Sequence, residues 1–257
     1  MKSRLAWLVV LGVAVILVAA YLVHPAAPST VPLRLYAGAG LRPAVDKLAQ
    51  AFQEQTGIRV EPDYSGSGLL LARATQDEQA DLFMPGDAWY VDRLQSLASN
   101  VVERASLARL VPVLIVAKGN PKGVHGVADL ARADLRVGLG DPKACQVGGV
   151  STQILQRASV APGAVHAQLA LTVNELGIWV KMRNADAAIV WDATAAAIAA
   201  DVERLTIPPD LRVDSEVVVA RLAQSRQPGA ARRFVQFARS EAGQAIFRAA
   251  GFGPPAP

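Results

Sequence analysis

The stretch "IRVEPDYSGSGLLLARATQ", Ile58 to Gln76, decides how this chain reads. Its first part, Ile58 to Tyr64, alternates apolar and polar residues with a β-branched bias, the period of a strand. Its last part, Leu69 to Gln76, holds neither glycine nor proline and suits a helix. Between them stand Ser65, Gly66, Ser67 and Gly68. Serines at such a junction offer helix caps, and glycines let a ligand come close to the backbone. With the N–H groups that a helix leaves free at its start, they make an anion-binding device. The plainer reading is a turn and a cap, and one junction does not decide between the two.

Outward from this stretch, strand-like and helix-like segments alternate. "LRLYAGA" (Leu33 to Ala39) reads as a strand, and "RPAVDKLAQAFQEQTG" as a helix with Pro43 in its first turn and Gly57 as its stop. "ADLFMPG", "LRVGLGDPKA", "AAIVWDA" and "DSEVVVARL" read as further strands, and "ARLVPVLIVAKGN" as one long apolar strand interrupted by Pro112. "VSTQILQRA" and "NELGIWVKMRN" read as helices, and "ARRFVQFARSEAGQAIFRAAGF" as two closing ones. Such alternation predicts an α/β fold with mainly parallel sheets, in which ligands sit beyond the carboxyl ends of strands. The junctions "YAGAGL", "YSGSGL", "DPKACQVGG", "LTVNEL" and "VWDAT" qualify. None carries a Walker lysine, a GxGxxG spacing or a GxSxG elbow, so the pattern favours binding over catalysis.

Composition narrows the class. The chain has 257 residues, 52% of them hydrophobic, enough for one large domain or two smaller ones. Part of the apolar excess is local: Lys2 and Arg4 precede an uncharged run from Leu5 to Val23. That is the form of an export signal, long enough to remain as a membrane anchor. No cysteine follows it, which excludes a lipoprotein anchor, and the rest of the chain is expected outside the cytoplasm. Beyond residue 30 the chain holds 24 basic residues against 22 acidic. No basic stripe suggests nucleic acid as a partner. Cys145 is the only cysteine, so no intramolecular disulfide is available, and His24, His125 and His166 lack the spacing of a metal site.

From about Leu33 to Gly253 the chain resembles the periplasmic molybdate- and tungstate-binding proteins of ABC transporters. The motifs that carry the resemblance stand in family order: "LYAGAGLRPAVDKLAQAF", "GIRVEPDYSGSGLLLARATQDEQADLFMPGDAWYVD", "VGLGDPKACQVGGVSTQIL", "TVNELGIWVKMRNADAAIVWDATA" and "FVQFARSEAGQAIFRAAGFG". The resemblance implies a two-lobed type II periplasmic binding protein fold, each lobe a mainly parallel sheet flanked by helices, with the ligand in the cleft. Residues 31–110 and 214–257 would form lobe one and residues 111–213 lobe two, after a signal or anchor and linker over residues 1–30. Hinges would lie near Pro112 and Val213. It implies a monomer, no cofactor, no metal ligands and no catalysis. The partners would be a small oxyanion and an ABC permease with its ATPase in the inner membrane.

In that family a molybdate or tungstate ion is held by backbone N–H groups and hydroxyls, without cationic side chains. Carried over, the contacts fall on Ala39 and Gly40, on Ser67 and Gly68, and across the cleft on Val147, Val173 and Trp191. Ser65, Asn174 and the indole N–H of Trp191 would add donors. The chain departs from the family pattern at Gly40, where a serine is usual, and at Trp191, where a tyrosine is familiar. Asp87 and Asp192 lie near the expected cleft and read as ligand neighbours or as helix caps. Cys145, two residues before Val147, leaves open a thiophilic metalloid such as arsenite, since thiolates select soft partners; its alternative is a small buried residue. The long N-terminal run also leaves open a membrane-tethered sensor.

Overall fold

The structure, a computed structural model, describes residues 31–76, 79–161 and 163–255. The expected signal or anchor lies outside the described residues. Among those described, no helix is long and apolar enough to cross a membrane.

Two five-stranded sheets carry the fold. The first contains β1 (Leu33–Gly38), β2 (Val60–Ser65), β3 (Leu82–Met84), β4 (Val101–Leu110) and β10 (Ser215–Leu222), in the order β2-β1-β3-β10-β4. The second contains β5 (Pro112–Ala117), β6 (Val137–Gly140), β7 (Ala167–Ala170), β8 (Ala187–Trp191) and β9 (Val202–Thr206), in the order β7-β6-β8-β5-β9. The expectation of mainly parallel sheets is corrected. In each sheet one half is parallel, β2-β1-β3 or β7-β6-β8, and the other half pairs antiparallel through β10 or β5. A parallel pair needs a crossover helix, whereas an antiparallel neighbour does not, so strands entering a lobe from the other one attach this way.

The chain passes from the first sheet to the second between Leu110 and Pro112, and returns between Thr206 and Ser215. The run "ARLVPVLIVAKGN" is therefore two strands in two sheets. Pro112 opens β5, where its missing N–H costs the ladder nothing. The carbonyl of Val111, at the crossing, accepts from Asp192 N–H at 2.8 Å.

Helices cover both faces of the first sheet. On one side α1 (Arg42–Thr56) buries Ala44, Val45, Leu48, Ala49 and Phe52. The closing helices α7 (Pro228–Arg239) and α8 (Glu241–Ala249) pack there too, and Phe52 meets Phe234 edge-on with ring centroids 5.2 Å apart. On the other side α2 (Ser67–Ala74) and α3 (Ala88–Ala98) bury Leu70, Tyr90, Val91 and Leu94 against Tyr36, Phe83 and Val218. The second sheet carries α4 (Gln146–Arg157), α5 (Val173–Lys181) and the short α6 (Asp192–Ala197). The parallel strands of both lobes thus hand over to helices: β2 to α2, β7 to α5 and β8 to α6, while β6 reaches α4 through a short loop.

Candidate functional site

The helix starts of the two lobes meet around one small cavity. Measured at the centres of water-sized spheres it holds about 20 Å³, where a single water needs roughly 10–15 Å³ on that measure. It is ion-sized. From lobe one its wall takes Ala39 and Gly40, in the 3-10 turn after β1, and Ser65 and Ser67 around the start of α2. From lobe two it takes Val147, Val173 and Trp191. Among the described residues, no charged side chain lines it. The first-turn N–H groups of Ser67, Gln146, Val147 and Val173 have no acceptor inside their own helices. Their partial positive charge suits a buried anion without a mobile counter-ion.

Ser67 is almost fully buried, and neither it nor Ser65 caps α2. The N-cap is Gly66, with no side-chain cap, which corrects the expectation for both serines. Instead the Ser67 hydroxyl oxygen accepts from Gly86 N–H at 3.0 Å. That bond occupies the oxygen as acceptor and leaves the hydroxyl hydrogen to be donated. Thr172, also on the wall, is spoken for: its hydroxyl donates to Glu175 Oε1 at 2.9 Å and accepts from Glu175 N–H, capping α5.

Gly68 and Asn174 do not line the cavity. Gly68 N–H donates to Ala144 carbonyl in the other lobe at 2.9 Å. Asn174 Nδ2 donates across the cleft to Ala39 carbonyl at 3.1 Å. A third cross-lobe bond runs from Gln146 Nε2 to Ser215 Oγ at 3.1 Å. The lobes are closed on each other. Gly40 is also closely packed against the other lobe: a β-carbon there would lie 2.8 Å from Val173 Cγ1 and 3.2 Å from Trp191 Cδ1. Val173 Cγ1, with the Trp191 indole (3% exposed) beside it, occupies the space a serine side chain at position 40 would need.

The two aspartates act as local supports. Asp87 Oδ1 accepts from Trp89 N–H at 2.8 Å and caps α3, and burial raises its carboxyl above the ordinary value. Asp192 opens α6 and pairs with Arg204. Cys145 does reach the cavity wall, but burial pushes its thiol up to about 11, and Sγ sits 3.7 Å from Ala170 carbonyl as a weak donor. A thiol held neutral is a poor ligand for a soft ion. Sequence reasoning missed Gly86, after "FMP", and Gln146. The first lies two residues beyond the short β3 and outside any serine- or glycine-rich helix junction, and the second lies between Cys145 and Val147 with no pattern to single it out.

Comparisons with known proteins give the family and the fold. Residues 33–253 match the family model described as bacterial extracellular solute-binding protein. A binding protein of Haemophilus influenzae is 31% identical over 224 residues, covering 86% of this chain and 91% of that one. The molybdate-binding protein ModA of Mycobacterium bovis is 27% identical over 224 residues, covering 86% of this chain and 84% of that one. Among solved structures, the periplasmic molybdate-binding protein of Azotobacter vinelandii superposes with a TM-score of 0.76 at 18% identity, over 87% of this chain and 100% of that one. With its two sheets, interlobe cavity and family match over residues 33–253, the chain belongs to the bacterial extracellular solute-binding protein family and has the two-lobed type II periplasmic binding protein fold.

Proposed function

We propose that this protein captures molybdate or tungstate outside the cytoplasm and delivers it to an ABC permease powered by an ATPase in the inner membrane. The observation that carries the reading is an ion-sized cavity between two lobes, walled by helix starts and hydroxyls and free of charged side chains. Ala39, Gly40, Ser65, Ser67, Val147, Val173 and the Trp191 indole are the contacts, with Gly68 and Asn174 holding the lobes together around them. Donors without acceptors favour a fully deprotonated tetrahedral dianion and penalise a protonated one, whose O–H would lack a partner. The molybdate-binding relative and structural neighbour support the same ligand class.

The crossings at residues 110–112 and 206–215 act as the hinge, since such termini absorb the backbone rotation of domain closure. The protein works as a monomer and binds its ion without transforming it. Isothermal titration of the purified protein with molybdate, tungstate, sulfate, phosphate and arsenite tests this. Molybdate or tungstate should bind at least a hundredfold tighter than the others. Equal or tighter binding of sulfate, phosphate or arsenite refutes the assignment.

A further inference from the structure

We propose that Gly66 and Gly68 form the closure stop of the cleft: lobe one docks through its bare backbone onto the carbonyls of Lys143, Ala144 and Leu171, and this contact sets the size of the ion cavity. The inference rests on the capture reading above and concerns what fixes the closed geometry.

A β-carbon on Gly66 would lie 2.4 Å from Ala144 carbonyl oxygen and 2.5 Å from that of Leu171. One on Gly68 would lie 2.1 Å from Lys143 carbonyl oxygen. Both glycines belong to lobe one and all three carbonyls to lobe two. The receiving loop is braced. Ala144 N–H and Cys145 N–H both donate to Asp141 carbonyl at 3.0 Å, Lys143 N–H donates to Asp141 Oδ1 at 2.8 Å, and Asp141 N–H donates to Ala170 carbonyl at 2.8 Å. Backbone held this way does not yield to a methyl group. The lobes would have to part by about 1 Å to restore a normal C···O contact of roughly 3.3 Å.

Backbone conformation does not require glycine at these positions. Gly66 has φ −66° and ψ 144°, open to any residue, and Gly68 is not among the glycines of positive φ. Within lobe one alone, alanine is the better helix former at Gly68, in the first turn of α2, and at Gly66, the N-cap, it costs only local helix stability. The need for glycine arises only when the lobes meet. Closure and folding are therefore separable by one methyl group. A cavity bounded by such a hard stop admits ions up to a fixed size, because a larger ion holds the Gly68 N–H away from Ala144 carbonyl.

The test uses Gly66→Ala and Gly68→Ala in the whole protein, with Gly149→Ala as control, since a β-carbon at Gly149 meets nothing within 4 Å. Small-angle scattering with and without saturating molybdate reads closure, and calorimetry reads affinity. Gly68→Ala should keep the ligand-free melting temperature, and Gly66→Ala should lower it slightly through the N-cap it occupies; both should bind molybdate at least tenfold more weakly and lose the ligand-induced contraction that wild type and control show. Normal contraction with unchanged affinity in both variants overturns the closure stop. Should wild type bind none of the anions, the functional reading fails by itself. The stop is then judged without ligand, by single-molecule energy transfer between dyes at Leu97→Cys and Met182→Cys in a Cys145→Ser background. Leu97 and Met182 are exposed on opposite lobes. A closed population present in the otherwise unchanged protein and missing in the glycine variants supports the stop; equal populations, including none in any, overturn it.

Discussion

Replacing Ser67 by alanine separates two jobs that one hydroxyl performs. Its oxygen accepts from the buried Gly86 N–H at 3.0 Å, and its hydrogen is free to be donated into the cavity. Ser67→Ala leaves Gly86 N–H without its partner. An unmet buried donor costs about 1–3 kcal/mol, so the ligand-free protein should lose stability in that range. Separately, a hydrogen bond to a charged acceptor contributes about 1.5–3 kcal/mol, so molybdate affinity should fall by about tenfold to a hundredfold. The two losses need different assays. Urea denaturation of the ligand-free protein reads the first, and titration calorimetry at a temperature where both proteins are fully folded reads the second. A variant that loses stability but binds molybdate as wild type does would show that the hydroxyl only braces Gly86. The assignment of Ser67 to the ion would then be wrong.

Gly40→Ser should not improve binding even though it supplies the hydroxyl usual in the family. The added carbon falls 2.8 Å from Val173 Cγ1, so affinity should drop at least tenfold by calorimetry, and Val173→Ala in the same chain should recover part of it. Trp191, buried against Gly40, should change its emission on ion binding, and Trp191→Phe should abolish the ligand-dependent fluorescence signal. Asp87 has its folded-state pKa raised by burial, so the stability it contributes is fully present below the unfolded value of about 3.9 and is lost as pH rises through the folded one. Asp87→Asn keeps a good cap and removes that loss, so denaturation series from pH 4 to 7 should show the variant gaining on wild type as pH rises; parallel curves would refute it. The Cys145 thiol, pushed up to about 11 by burial, should react slowly with an aromatic disulfide reagent at pH 8 until the protein is unfolded. Arsenite should not raise the melting temperature.

Much of the fold was legible because it is written in local periods. The alternation of Ile58 to Tyr64, the apolar face of α1 with its Pro43 and Gly57 punctuation, and the free helix starts after "YAGAG", "YSGSG" and "TVNE" depend only on residues a few positions apart. The junctions singled out from sequence all reach the cavity wall, although Trp191, at the end of β8, represents "VWDAT" there while Asp192 turns to Arg204. What the local pattern could not hold was any fact that depends on two lobes meeting. One apolar run from Ala108 to Asn120 looks continuous, yet it leaves one sheet at Leu110 and enters another at Pro112, because the switch at Val111 is decided by which sheet offers partners. The glycines of "YSGSG" read as room for a ligand, but the atoms that come close are carbonyl oxygens of the opposite lobe. Gly68 and Asn174 read as ion contacts and serve as cross-lobe hydrogen bonds. Sequence by itself determined the α/β layering and the supply of anion-binding helix starts, since both follow from backbone propensity and side-chain period. Tertiary structure alone decided which donors face the ion and which face the other lobe, because that choice turns on separations of a few ångströms between segments some 75 to 135 positions apart.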